Sequence, residues 1–140
     1  MKPDLYFEMI YPNPPEEVWR ALTDPEILAG WLMENNFAPR IGKEFQFRTK
    51  SRFGLDRVIE CEVLEVDEPR ILSYTWGGKG SVVTFRLDPT AKGTRLRLEH
   101  KGLQGIRGVA MAWILSRGWK HKINQRLPAV LPRRNLQESR

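Results

Sequence analysis

The stretch that most constrains the fold lies near the end of the chain, VAMAWILSRGWKHKINQRL, residues 109–127. Ala112, Leu115, Trp119, Ile123 and Leu127 recur every three or four residues, so on a 3.6-residue helix they stack as one apolar stripe. Upstream of Gly102 the pattern is strands and turns, apart from two short helices near the start. A sheet with one apolar face needs a cover, and only the last predicted helix is long enough to supply it. The expected fold class is α+β, an antiparallel sheet of six or seven strands wrapped around one long C-terminal helix. The stripe has two irregularities. Residues 109–115 are apolar on every side, with Met111, Trp113 and Ile114 pointing away from the Trp119 line, so a pocket wall, a lid or a partner is expected to bury that second surface. Pro128 removes a backbone donor and crowds the preceding turn, which predicts an end or kink near Leu127. Arg126 falls close to the apolar line and is expected to reach past the sheet edge.

The upstream elements follow from local chemistry. Residues 5–11 (LYFEMIY) are aromatic and branched and predict the first strand. Asn13 then serves as a helix cap, Pro14 fits the first helical position, and Glu16 stands where a capping box places its acid. Thr23-Asp24-Pro25-Glu26 repeats the start signal for a second short helix carrying Ile27, Leu28, Trp31 and Leu32. Residues 34–43 are loop-like, broken by Pro39 and Gly42. Strands are predicted over 44–50, 57–66, 71–76, 81–87 and 94–100. In the second of these Ile59, Cys61 and Val63 alternate with Glu60 and Glu62. Glu60 and Glu62 are read as solvent-facing charge opposite basic strands. Short turns between consecutive strands require antiparallel pairing.

At 140 residues the chain suits one domain, expected over 1–132, followed by a polar basic tail at 133–140. The hydrophobic fraction of 41% supplies a core, and no apolar run approaches the roughly 18–20 residues of a membrane span. The N-terminus reaches charge at once, which speaks against a signal peptide, and the single Cys61 excludes an internal disulfide; both fit a cytoplasmic protein. Charge is uneven. Residues 1–100 carry 14 Lys/Arg against 16 Asp/Glu, a net of −2, whereas residues 101–140 carry nine Lys/Arg against Glu138 alone, a net of +8. The basic side is read as the outer face of the last helix (Arg117, Lys120, Lys122) plus the tail, either a partner-binding surface or an ordinary solvated face.

Four stretches together resemble one family. They are Pro14-Pro15-Glu16-Glu17-Val18-Trp19-Arg20-Ala21-Leu22-Thr23-Asp24-Pro25-Glu26 with Trp31; Glu62-Val63-Leu64-Glu65-Val66-Asp67-Glu68-Pro69-Arg70-Ile71-Leu72-Ser73-Tyr74-Thr75-Trp76; Gly93-Thr94-Arg95-Leu96-Arg97-Leu98-Glu99-His100; and Gly118-Trp119. In this order they resemble the START-like (SRPBCC) superfamily, in the branch of homologues of the activator of heat-shock protein 90 ATPase. The resemblance covers nearly the whole chain. It implies a helix-grip (START-like, Bet v 1-like) fold, with a cavity between sheet and helix. It also implies a preference for apolar ligands in most relatives and catalysis in a minority. Where the branch often has glycine, this chain has a side chain near Cys61.

Should the grip leave a cavity, its lining is expected from Trp31, Phe45, Phe47, Tyr74, Trp76, Phe85, Leu96, Leu98, Trp113 and Trp119. Tyr74, Thr94, His100 and Arg48 are the polar groups expected to reach it. Core packing is the competing reading for any one of these aromatics. His100 and His121 lack further ligands at metal spacing, Cys61 reads as a buried inert thiol, and Gly77-Gly78-Lys79-Gly80 lacks the spacing and following helix of a phosphate loop. No cofactor, metal or catalytic constellation is implied. The three-glycine loop at 101–108 reads as a gate or as a plain connector. Three functions stay open. The leading one is non-catalytic binding of a small hydrophobic or aromatic ligand. A protein-interaction or co-chaperone-type module would use the basic helix face or residues 111–115. An enzyme on a polyketide-like or aromatic substrate would rely on Tyr74 with His100. A monomer or homodimer is compatible with all three; nucleic acid is the least favoured partner.

Overall fold

A computed structural model describes residues 5–49, 57–77, 80–103 and 115–133. Its elements are β1 (Leu5–Tyr11), α1 (Pro15–Thr23), α2 (Pro25–Trp31), β2 (Glu34–Asn35), β3 (Glu44–Thr49), β4 (Arg57–Asp67), β5 (Ile71–Thr75), β6 (Val82–Thr90) and β7 (Gly93–Lys101). A final helix, α3, is described over residues 115–130. The strands form one curved, fully antiparallel seven-stranded sheet in the order β1-β7-β6-β5-β4-β3-β2. β2 is a two-residue edge strand within the stretch expected to be loop.

Period-two alternation decides which face is buried. Phe45 and Phe47, Cys61 and Val63, Val83, Phe85 and Leu87, and Leu96 and Leu98 all point inward, as the alternation predicts. Register then lines them into rows, one of which runs Leu5, His100, Val83, Tyr74, Val63 across five strands. Outward, Arg86 stands directly opposite Arg97, and each escapes the like-charge contact diagonally. Arg86 Nε meets Glu99 Oε1 at 2.9 Å and Arg97 Nη2 meets Asp88 Oδ2 at 2.6 Å. Glu60 and Glu62, in contrast to the expected basic neighbours, face Gln46 and Glu44 on β3. Gln46 Nε2 donates to Glu60 Oε1 at 3.1 Å, and exposure of Glu44 and Glu62 leaves their charges to solvent. Gly93 opens β7 against the end of β1, where a Cβ would collide with the Tyr11 carbonyl and Pro12.

The two short helices start differently. Asp24 caps α2, its Oδ1 accepting from the backbone of Glu26 at 3.0 Å and Ile27 at 3.4 Å, with Pro25 in the first turn. The expected Asn13 capping box does not form. Pro14 precedes another proline, which drives it out of the α region to φ −66°, ψ 159°, so α1 begins one residue late. Asn13 instead donates to Glu17 Oε1 at 2.9 Å and to the Pro132 carbonyl at 2.7 Å, clasping the start of α1 to the segment that leaves α3.

α3 buries Trp119, Ile123, Leu127 and, just beyond it, Leu131, with Leu115 half-buried, so the described part of the stripe is as expected. Ala112 and the all-round apolar turn with Met111, Trp113 and Ile114 lie outside the described residues. The helix neither ends nor breaks at Leu127. It widens into a π turn over Lys122–Arg126, where Leu127 N–H donates to the Lys122 carbonyl, and resumes as Leu127–Val130. A four-residue spacing overshoots an α-turn by about 40° per step, and a wider turn keeps Trp119, Ile123, Leu127 and Leu131 on one face. The same turn accommodates Pro128, which would crowd a regular α-turn. One carbonyl is left over. The Leu127 N–H is already spent on Lys122 and Pro128 has none, so the Ile123 carbonyl accepts from outside the helix, from Tyr11 Oη at 2.7 Å. Arg126 is exposed and reaches back to the Gly30 carbonyl, Nη2 donating at 3.1 Å.

Candidate functional site: an indole-lined cleft at the helix grip

A connected run of aromatic rings crosses the interior. Phe37 meets Phe45 edge-on at 5.0 Å between centroids, Phe45 meets Phe47 at 5.3 Å and Tyr74 at 5.1 Å, and Phe47 meets Trp76 at 5.4 Å. Trp76 then meets Trp119 at 5.2 Å, Trp119 meets Phe85 at 6.1 Å, and Phe85 meets Trp31 at 6.4 Å. Trp31, Phe45, Phe47, Tyr74, Phe85, Leu96 and Leu98 are all fully enclosed, and Trp31 Nε1 is satisfied by the Ala21 carbonyl at 2.7 Å.

Space remains beside Trp76 and Trp119. A cleft of about 210 Å³ opens between α3, the end of α2 and the β3–β4 edge. Trp76, Trp119 and Ile59 line it together with Leu32, Met33 and Leu115, and Gly118 leaves room on the helix side. Thr49, Arg57 and Lys122 complete the lining. Two of the ten residues expected to line a cavity, Trp76 and Trp119, border this cleft. Trp113 lies outside the described residues, and the other seven pack in the core or in the network around His100. A larger hollow of about 400 Å³ lies by Pro12, Asn13, Pro128 and Pro132, but its one aromatic, Tyr11, has its hydroxyl committed to Ile123.

His100 holds Trp119 in place. Trp119 Nε1 lies 3.2 Å from His100 Nδ1, and an indole N–H can only donate, so Nδ1 accepts and the ring proton sits on Nε2. Nε2 lies 3.0 Å from Ser81 Oγ and donates to it, and Ser81 Oγ donates to the Trp76 carbonyl at 2.7 Å. The relay runs from Trp119 to the backbone of Trp76 and ties the two cleft indoles together. It also directs the proton from histidine to serine, opposite to what activating Ser81 as a nucleophile requires. Tyr74 and His100 share a sheet row but are separated by Val83, about 9–10 Å at two strand spacings.

The remaining polar candidates are engaged elsewhere or turned away. Thr94 Oγ1 donates to the Asn13 carbonyl at 2.7 Å, at the opposite end of β7 from His100, and Arg48 is exposed. Cys61 is buried and burial pushes its thiol up to about 12, far from a thiolate at neutral pH. The Tyr74 hydroxyl is fully buried with no hydrogen-bond partner among the described residues, and burial holds it well above its ordinary value of 10.0. Among the described residues no three His, Cys, Asp or Glu side chains gather as a metal site, and no helix is long and apolar enough to cross a membrane.

Sequence reasoning placed Lys122 on the outer basic face with Arg117 and Lys120. It is half-buried and lines the cleft, whereas Arg117 and Lys120 are exposed. The signal was its offset: three residues after Trp119 and four after Gly118, it flanks the apolar stripe. Met33, Thr49, Arg57 and Ile59 were missed because they converge from three separate elements.

Comparison with known proteins agrees with this fold. A family model described as activator of Hsp90 ATPase homolog 1-like protein matches residues 12–131. No curated protein matches the chain. Among solved structures, protein MLL2253 from Mesorhizobium loti is 36% identical, with 94% of this chain and 98% of that one covered and a TM-score of 0.81. BH1534 from Bacillus halodurans is 30% identical over 91% of this chain and 95% of that one, with a TM-score of 0.75. CalU16 from Micromonospora echinospora is 26% identical over 95% and 78%, with a TM-score of 0.72. With the sheet gripping α3 and these matches along nearly its whole length, the chain belongs to the activator of Hsp90 ATPase homolog 1-like family of the START-like superfamily.

Proposed function

We propose that this protein binds a small hydrophobic or aromatic molecule, without transforming it, in the cleft between sheet and α3. The carrying observation is that two indoles, Trp76 and Trp119, border open space while Trp31, Phe45, Phe47, Tyr74 and Phe85 are enclosed. Apolar and aromatic walls with a few polar groups at the rim are the usual composition of small-molecule sites. The volume is below the roughly 300–1,000 Å³ of pockets for drug-sized ligands, so the occupant is small or inserts only one ring. The His100–Ser81 relay supports a binding role, since it fixes the indoles and leaves Ser81 without a base to take its proton.

Gly118 supplies a clean test. A Cβ built there meets nothing within 4 Å, so Gly118→Leu fills the cleft without disturbing backbone and improves helix propensity. Titration of the wild type with naphthalene-ring compounds is expected to shift the indole N–H resonances of Trp76 and Trp119 and to leave Trp31 unmoved. Gly118→Leu is expected to abolish the response with stability kept or raised. Shifts that persist in Gly118→Leu would place any binding elsewhere and remove this assignment.

A further inference from the structure

The cleft is apolar, yet its charges are of one sign. Arg57 enters from β4 and Lys122 from α3, and none of the other described lining residues is acidic. Among the described residues neither cation has a carboxylate partner. On the outer face of the sheet, Arg86 is paired with Glu99 and Arg97 with Asp88. Lys122 is half-buried, and its burial and the neighbouring Arg126 charge hold its ammonium below the ordinary value of 10.5. A cation so placed is costly unless an anion joins it.

We infer that the ligand of this cleft is an amphipathic anion, an aromatic or short aliphatic body bearing a carboxylate that is held between Arg57 and Lys122. The inference rests on the ligand-binding reading above and sharpens it. Arg57, exposed at the start of β4, borders the cleft from the sheet and Lys122 from the helix, so a bound carboxylate would meet one from each element while its ring lies along Trp76 and Trp119. Arg57 contributes a planar fork suited to a carboxylate, and Lys122 a flexible point charge.

The experiment compares 2-naphthoate with its uncharged isostere 2-naphthamide, read by the Trp76 and Trp119 indole resonances in the wild type, Lys122→Gln and Arg57→Gln. The naphthoate is expected to bind about tenfold tighter or better, the margin of one charge-assisted hydrogen bond. Each Gln variant is expected to lose most of that margin, the ratio of naphthoate to naphthamide affinity falling toward one. Equal binding of both probes to the wild type would overturn the anionic head and leave a hydrophobic site standing. A naphthoate preference that survives in both variants would overturn the assignment to Arg57 and Lys122. Failure of both probes to move either cleft indole would overturn this inference and the binding reading together.

Discussion

Two tyrosines in this fold carry the same buried hydroxyl into opposite circumstances. Tyr11 Oη donates to the Ile123 carbonyl, which the π turn and Pro128 leave without a helical donor. The Tyr74 ring packs against Phe37, Phe45, Phe47 and Phe85, and its Oη has no partner among the described residues. Removing the oxygen should therefore have opposite signs at the two sites. Tyr11→Phe strands a buried carbonyl and is expected to cost about 1–3 kcal/mol. Tyr74→Phe keeps the ring contacts, discards an unsatisfied group and is expected to stabilise by about 1 kcal/mol. Urea unfolding of the two variants decides it. A destabilised Tyr74→Phe would mean that an ordered water or other partner serves that hydroxyl.

At the scale of elements, local chemistry and tertiary bonding can be separated by comparing the starts of α1 and α2. Asp24 acts through its own helix, so Asp24→Ala is expected to cost about 0.5–2 kcal/mol, with Asn and Ser largely restoring it. Asn13 makes no cap and joins distant segments, so Asn13→Ser, a good cap residue, is expected not to rescue Asn13→Ala. Equal rescue at both positions in thermal melts would refute the distinction. The same division explains what could be read from the sequence. Strand alternation, the Asp24-Pro25 start and the Trp119–Leu127 stripe are local patterns, and each is present in the fold. The late start of α1 follows from Pro14 preceding Pro15, a two-residue rule outweighed in reading by the four-residue capping signature. The π turn depends on one four-residue spacing meeting Pro128, and a helix read at 3.6 residues per turn has no place for it. The cleft was the least legible part. Its aromatics could be named by type, but which of them faces open space depends on how α2, β3, β4 and α3 converge.

Over the whole molecule, the acid groups that folding hides predict how stability changes at high pH. Burial raises the Cys61 thiol from 9.0 to about 12 and lifts the phenols of Tyr11 and Tyr74 above 10.0. In the unfolded chain these groups ionise near their ordinary values, while in the folded chain they keep their protons. Above about pH 9 the folded state therefore binds more protons than the unfolded one, and stability falls as pH rises, by about 1.4 kcal/mol per unit for each group fully in its window. Below about pH 8 none of the three ionises in either state, and they contribute no slope. Lys122 has the opposite sign. Its lowered value means that the folded chain releases that proton first, so its contribution rises with pH just below 10.5. Tyr6, whose phenol is raised by its hydrogen bond to Glu8, acts with the three buried groups, and against them Lys122 alone leaves a net fall that steepens past pH 10. Removing two of the three with Cys61→Ala and Tyr74→Phe shifts the overall level of stability through packing, but its diagnostic effect is on the slope. Urea unfolding between pH 7 and 11 should give a flat region and then a fall for the wild type, with a clearly shallower fall for the double variant. Parallel curves for the two proteins would show that Cys61 and Tyr74 ionise in the folded state as easily as in the unfolded one, and that the aromatic interior is open to solvent.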